Sequence, residues 1–321
     1  MRIASLDLLR GIAALGIVGC HLSLSPRTAG GEWVTALCDF NVGVFAAISG
    51  WLMGREKGFS VWGMRDVWTY VKKRVARLAP EYAFWSVVFI AATCAFDLIL
   101  DGGRLNPKYG TVAFWLKVIF LGDAATHLWF LPCLLYSQVV QRLLSPLPVK
   151  GIVWVFSGLL LIVPSALMGN WFGTYPLRLF AFLVTGYGLG GMGVNRSGED
   201  TASPLWGGLT LIGLVAYVLL GGVVPAFIRG WFATIPLLIF AVSLPMKGCA
   251  AQMASALGAT SMGVYLVHPL ITRALSVVWV RVFPAPFGVL PVLSEWFLAW
   301  ALAFAAAFVL LRLPVINRLV Q

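Results

Sequence analysis

The chain has 321 residues, of which 60% are hydrophobic and only 11% charged, with a net charge of +11 and a mean hydropathy of +0.91. A soluble domain has no use for so much apolar surface, and a membrane β-barrel would read as short alternating segments rather than long continuous runs. The positive charge, which in a soluble protein would point to nucleic acid, therefore reads as a signal of membrane orientation.

Lipid requires backbone groups to pair within each segment, so the expected fold is all-α: one polytopic membrane domain over residues 1–321. Ten spans follow from hydropathy, at 3–24, 34–54, 82–100, 128–144, 152–168, 177–193, 205–222, 229–246, 260–281 and 293–312. A basic amphipathic cytoplasmic segment lies between the second and third. The start does not read as a cleaved signal peptide, since Arg2 is its only leading cation and charges interrupt the apolar run. With the N-terminus in the cytoplasm, 55–81, 145–151, 194–204, 247–259 and the C-terminus fall inside. Arg55, Lys57, Arg65, Lys72, Lys73, Arg74 and Arg77 then share one inner loop, as the excess of cytoplasmic cations requires.

The first span, IASLDLLRGIAALGIVGCHLSL, holds Asp7, Arg10 and His21. A charge near the bilayer centre costs about 2.5–3.5 kcal/mol even on lenient scales, so these groups are expected to face protein or a watery cavity. On an ideal helix the eleven steps from Arg10 to His21 come within about 20° of whole turns and separate the two by about 16 Å along the axis. Asp7 stands one turn before Arg10, on the same side. An ion pair near the inner end and an imidazole near the outer end of one stripe are the expectation.

The second span contains GVFAAISGWLMG (43–54), where Ser49-Gly50 offers a small surface for another helix, with Asp39 and Asn41 near its outer end. In the inner loop, Trp68, Val71, Val75 and Leu78 recur at three- and four-residue steps, predicting an amphipathic helix on the membrane surface. Lys73, Arg74 and Arg77 cluster there, suited either to a polyanion such as a nucleotide phosphate or to anionic lipid. The outer segment 101–128, with Asp101, Arg104, Lys108, Trp115, Lys117 and Asp123, reads as amphipathic and leads into HLWFLP (127–132). Across the outer side, GNWFGTYP (169–176) offers rings that suit sugar faces or the ordinary aromatic belt. Arg178 either meets a substrate or snorkels to the surface. In span nine, Ser261, Tyr265, His268 and Thr272 form one polar stripe expected to face the bundle interior, and Pro269 removes a helix hydrogen bond beside it. Cys20, Cys38, Cys94, Cys133 and Cys249 lack metal-ligand spacing, and no metal site is expected.

These pieces resemble the acyltransferase-3 family. The likeness runs through SLDLLRGIAALGIVGCHLS with Arg10 and His21, Ile48-Ser49-Gly50-Trp51-Leu52, KKRVARLAP (72–80), HLWFLPCLL (127–135) and SMGVYLVHPLI (261–271), in the family's order. One departure stands out: NVGVFAAISG lacks the acidic residue and one aromatic of the family's GVDLFFVLSG-like run, so no role is carried onto that position. The resemblance implies a bacterial inner-membrane enzyme. It would move an acyl group, usually acetyl, from cytoplasmic acyl-CoA to a hydroxyl of an extracytoplasmic or lipid-linked carbohydrate. It further implies His21 and Arg10 as the essential histidine and arginine, Asp7 as the acid preceding that arginine, and Lys73, Arg74 and Arg77 as the cations for CoA phosphates. His127, Trp129, Arg178, Tyr265 and His268 stand as candidate substrate-binding residues. A neutral imidazole can take the hydroxyl's proton, typically worth about 10²–10⁴-fold, or can itself carry the acyl group. The rival reading is a transporter or flippase of lipid-linked glycan, which would move its substrate unmodified.

Overall fold

A computed structural model describes residues 3–22, 38, 40–56, 64–100, 106–125, 127–168, 174–192, 204–220, 224–282 and 289–313. Among the described residues the chain is all-helical. In order the helices are α1 (Ala4–Gly19), α2 (Asn41–Arg55), α3 (Met64–Leu100), α4 (Val112–Leu121, after a 3₁₀ turn at Pro107–Gly110), α5 (Phe130–Leu144), α6 (Gly151–Leu167), α7 (Thr174–Gly191), α8 (Pro204–Leu219), α9 (Ala226–Ser243), α10 (Gly248–Val282) and α11 (Val289–Leu310). Among the described residues, three stretches are long and apolar enough to cross a membrane, within Arg65–Leu98, Gly248–Trp279 and Val289–Leu310. Val112–Leu121, Gly151–Ser165, Gly207–Leu219 and Ile228–Ser243 are shorter apolar helices.

The helices depart from the expected spans in four places. α1 stops at Gly19, two residues short of His21. The inner amphipathic segment and the third span are one helix of 37 residues that runs through Pro80, about 55 Å long. α10 begins at Gly248, twelve residues before the expected span; GCAAQMASALGA is built of small residues that are only weakly hydrophobic, yet it is rich in alanine, the best helix former. The outer segment contains a further helix, α4, capped at its start by the Thr111 side chain, which accepts from the Phe114 N–H at 3.3 Å. α4 ends at Gly122 in the left-handed region (φ 79°), where a Cβ would run into the Trp129 backbone.

The chain divides into two compact units, Met1–Lys57 with Val149–Gln321, and Gly58–Pro148. In the first, α2 and α7 meet with their backbones almost touching. A Cβ at Gly50 or Gly54 would land on the Leu183 or Tyr187 carbonyl oxygen, and one at Gly186 or Gly190 on that of Ala47 or Trp51. Each helix thus offers two glycines four residues apart to the other, the small-residue packing that lets membrane helices close in without a hydrophobic driving force. α1 lies on α10 in the same way: Gly11 makes room for Leu257 and Gly258 for Asp7. α11 is tied to α1 by the Trp296 indole, which donates to the Leu15 carbonyl at 2.8 Å.

In the second unit, the Tyr82 hydroxyl of α3 donates to the Val118 carbonyl of α4, and Tyr136 of α5 donates to Phe120 at 2.8 Å. α3 and α5 run antiparallel. Phe89 meets the His127 ring, just before α5, at 4.7 Å, and Tyr70 lies under the Arg142 guanidinium near the end of α5 at 4.5 Å. Along the first half of α3, Trp68 and Val75 of the predicted apolar stripe are exposed, whereas Val71 and Leu78 are half-buried.

Candidate functional site

The turn after α1 places His21. Past Gly19, the Cys20 N–H bonds to the Gly16 carbonyl at 3.2 Å and the His21 N–H to Val18 at 3.1 Å, so the chain tightens rather than continuing the helix. Leu22 then packs on Val292 of α11 with Trp279, Leu293 and Trp296 around them. This holds the His21 ring against α10, where it meets His268 with ring centroids 5.1 Å apart and planes at 45°.

The local chemistry of α10 sets the state of His268. Pro269 has no N–H, so the Tyr265 carbonyl loses its usual donor four residues on. The His268 imidazole takes up that role: Nδ1 lies 2.7 Å from the Tyr265 oxygen and 3.2 Å from the Val264 oxygen. A carbonyl only accepts, so Nδ1 carries a proton in this contact. The ring is fully buried. Tyr265 stands beside it at 6.1 Å, and the Thr272 hydroxyl donates to the His268 carbonyl at 3.0 Å. Ser261, Tyr265, His268 and Thr272 are all buried, so the expected inward stripe is present on one helix face.

The Asp7–Arg10 pair forms near the start of α1. The Arg10 Nη1 donates to the Asp7 Oδ1 at 3.1 Å, with Asp7 1% and Arg10 30% exposed. Asp7 and His21 therefore both turn toward α10, one against Gly258 and the other against His268. The partly exposed guanidinium is a cation anchored by a buried carboxylate, and the two imidazoles lie in ring contact.

Arg178 is buried on α7 rather than snorkelling. Its Nε donates to the Ser165 carbonyl of α6 at 3.1 Å and its guanidinium lies 5.6 Å from the Tyr175 ring. In the second unit, Lys73 and Arg77 are exposed on α3 and Arg74 is half-buried, 5.1 Å over the Tyr70 ring. His127 is buried against Phe89, and Trp129 is half-buried beside Phe130. Asp39, Asp101, Arg104 and residues 169–173 of the outer aromatic stretch lie outside the described residues.

Three groups escaped the sequence reading. Glu295, fully buried on α11, sits one turn past the Val292 that packs on Leu22; its signal is a lone acid in an otherwise apolar run. Glu81 is buried on α3, and a buried polar set, Ser137, Gln138, Gln141 and Arg142, lies on α5. Their signal is four polar residues in six at the end of a span.

The acyltransferase domain family matches residues 3–312 of the chain. Acyltransferase MdmB from Streptomyces mycarofaciens is 28% identical over 180 residues, covering 50% of this chain and 44% of that protein. The chain thus aligns with less than half the length of this relative. No solved structure matches the chain.

Proposed function

The chain belongs to the acyltransferase-3 family, and on that footing we propose that it transfers an acyl group, in the first place acetyl, from acyl-CoA to a hydroxyl of a carbohydrate acceptor. The setting proposed is the bacterial inner membrane, crossed about ten times with both termini cytoplasmic. The acceptor is extracytoplasmic or lipid-linked. The observation that carries the reading is the contact between His21 and a second imidazole whose protonation pattern is set by Tyr265.

A sugar hydroxyl is a poor nucleophile at neutral pH. His21 removes its proton as the oxygen attacks the thioester carbonyl. The carbon–sulfur bond then breaks, and the CoA sulfur leaves with the proton that His21 returns, giving an ester and free CoA. The imidazolium formed in between has two N–H groups, and His268, if its Nε2 is unprotonated, would accept from one of them. Asp7 holds Arg10 as a fixed cation for the donor, and Lys73, Arg74 and Arg77 bind its phosphates. His127, Trp129, Arg178 and Tyr265 are assigned to the acceptor. The alternative in which His21 itself carries the acyl group predicts an acyl-enzyme in an acid-quenched single turnover without acceptor.

The test is reconstitution in liposomes with radiolabelled acetyl-CoA and a polysaccharide or lipid-linked sugar fraction. Label should pass to the sugar with the parent protein and not with His21→Ala. Movement of unmodified glycan without acyl-CoA would instead establish a transporter.

A further inference from the structure

The second unit holds a polar seam between α3 and α5 whose members are more costly buried than exposed. Gln141 has no exposed surface, and among the described residues nothing hydrogen-bonds either its amide nitrogen or its amide oxygen. One turn earlier the Gln138 oxygen is buried in the same condition, as is the Ser137 hydroxyl beside it. A buried amide left unbonded carries its full desolvation cost, so native chains rarely keep one without a use.

The register of the two helices says what these amides lie beside. With Phe89 level with His127 and Tyr70 level with Arg142, Gln138 stands across from the Arg74–Arg77 turn and Gln141 across from the turn between Tyr70 and Arg74. Arg142 is itself buried, and its guanidinium shares the Tyr70 ring with that of Arg74, at 4.5 and 5.1 Å. Two guanidiniums held on one ring repel each other and favour an anion that both can reach. Lys72, Lys73 and Arg77 extend the cations along the exposed side of α3. From Arg65 to Glu81 this helix has five cations against two carboxylates, before Arg142 is added. Exposed cations thus lie beside a buried stretch furnished with amides.

A ligand matched to that order has phosphates at one end and an uncharged arm with amide groups at the other. The phosphopantetheine part of CoA has this form: its two secondary amides each offer one N–H donor and one carbonyl acceptor, which the carbonyl and NH2 of a glutamine side chain complement. We propose that Gln138, Gln141 and Arg142 form the subsite for the phosphopantetheine arm of the acyl donor. Arg142 and Arg74 share the diphosphate oxygens, and the two glutamines bond the arm's amides. The inference rests on acyl-CoA being the donor.

The experiment measures binding of CoA and of 3′,5′-ADP, which lacks the arm, to the full-length protein in nanodiscs by calorimetry. Gln138→Leu/Gln141→Leu should raise the Kd for CoA at least tenfold and leave that for 3′,5′-ADP unchanged. The unchanged ADP affinity also reports that the variant is folded. Arg142→Gln should weaken CoA by a similar factor. A double-leucine variant that binds CoA as the parent does overturns the subsite while the donor assignment stands. A parent protein that binds neither CoA nor 3′,5′-ADP overturns the donor assignment, and the subsite with it.

Discussion

Replacing Pro269 by alanine should make the protein more stable and less active at once. The new N–H at position 269 points back to the Tyr265 carbonyl, the group that the His268 Nδ1 now reaches at 2.7 Å. Proline costs about 3 kcal/mol in a helix interior relative to alanine. Here the histidine already satisfies part of what proline removes, worth about 1 kcal/mol for a net hydrogen bond. The expected gain is therefore about 2 kcal/mol. With a backbone donor on that oxygen, the His268 ring loses the bond that orients it, and its Nδ1 proton is no longer specified. Displacing a group by about 1 Å near a reacting centre can cost about 10²-fold, so kcat should fall between tenfold and a hundredfold with the KM for acyl-CoA unchanged. Thermal unfolding in detergent reads the first effect and steady-state transfer of labelled acetyl reads the second. Two variants separate the roles of the ring. His268→Asn keeps a donor near the Tyr265 carbonyl and loses the distal acceptor; His268→Gln puts an acceptor near the Nε2 position. Gln should retain more kcat than Asn. A Pro269→Ala protein with raised stability and full kcat would refute the reasoning.

The glycine packing makes an internal comparison. Gly186→Ala, whose Cβ meets the Ala47 carbonyl, should destabilise by about 1–3 kcal/mol, while Gly208→Ala in α8, with open space at its Cβ, should stabilise by up to about 1 kcal/mol; equal shifts in unfolding midpoint would deny the close approach of α2 and α7. Exchanging Lys73, Arg74 and Arg77 together for glutamine should raise the KM for acyl-CoA and leave that for the acceptor alone, and steady-state kinetics in both substrates would expose an unchanged donor KM. Tyr109 donates to the Asp97 carboxylate at 3.3 Å, and burial, with that carboxylate adding to it, pushes its phenol from 10.0 up to about 12. The folded state then holds a proton that the unfolded chain releases, so this contribution to stability is full below pH 10 and fades as pH rises from 10 through 12. Tyr109→Phe should lack that alkaline decline in unfolding midpoint.

The parts of this architecture that are legible from residues alone are those where chemistry contradicts the solvent. Asp7, Arg10, His21 and His268 stand out because lipid has no place for them, and the polar stripe of α10 follows from three spacings of four, three and four residues. Helix ends are less legible. The turn at Cys20-His21 follows Gly19, but Gly11 and Gly16 recur inside the same helix and so glycine does not announce its end, and the continuity of α3 is hidden because Pro80 and a run of cations look like a boundary. The reciprocal glycines are visible only in part: Ser49-Gly50 marks one surface, but nothing local says that Gly186 and Gly190 are its counterpart. The pairing of His21 with His268 is a contact between residues nearly 250 apart, and no pattern within either helix encodes it. Gln138, Gln141 and Arg142 pass for the polar side of an ordinary span until their burial is known.

The distribution of costly features separates scaffold from machinery. α2 and α7 are held by glycines and apolar side chains, arrangements that lower free energy wherever they occur. Along α1 and α10 the chain instead keeps a carboxylate 1% exposed, a fully buried imidazole and a proline in the middle of a 35-residue helix. An apolar set of similar volume would serve stability as well or better, since removing charges from water costs several kcal/mol per ion and a well-packed substitute is often the more stable choice. The same holds for the glutamines of α5. Local rules are broken in natural proteins mainly where function requires it. Here such breaks fall along the first and tenth helices in one unit and the third and fifth in the other, on the residues assigned to proton transfer and to the donor, while α2 and α7 carry others in the buried Arg178 and in the Trp51 indole N–H, which has no hydrogen-bond partner among the described residues.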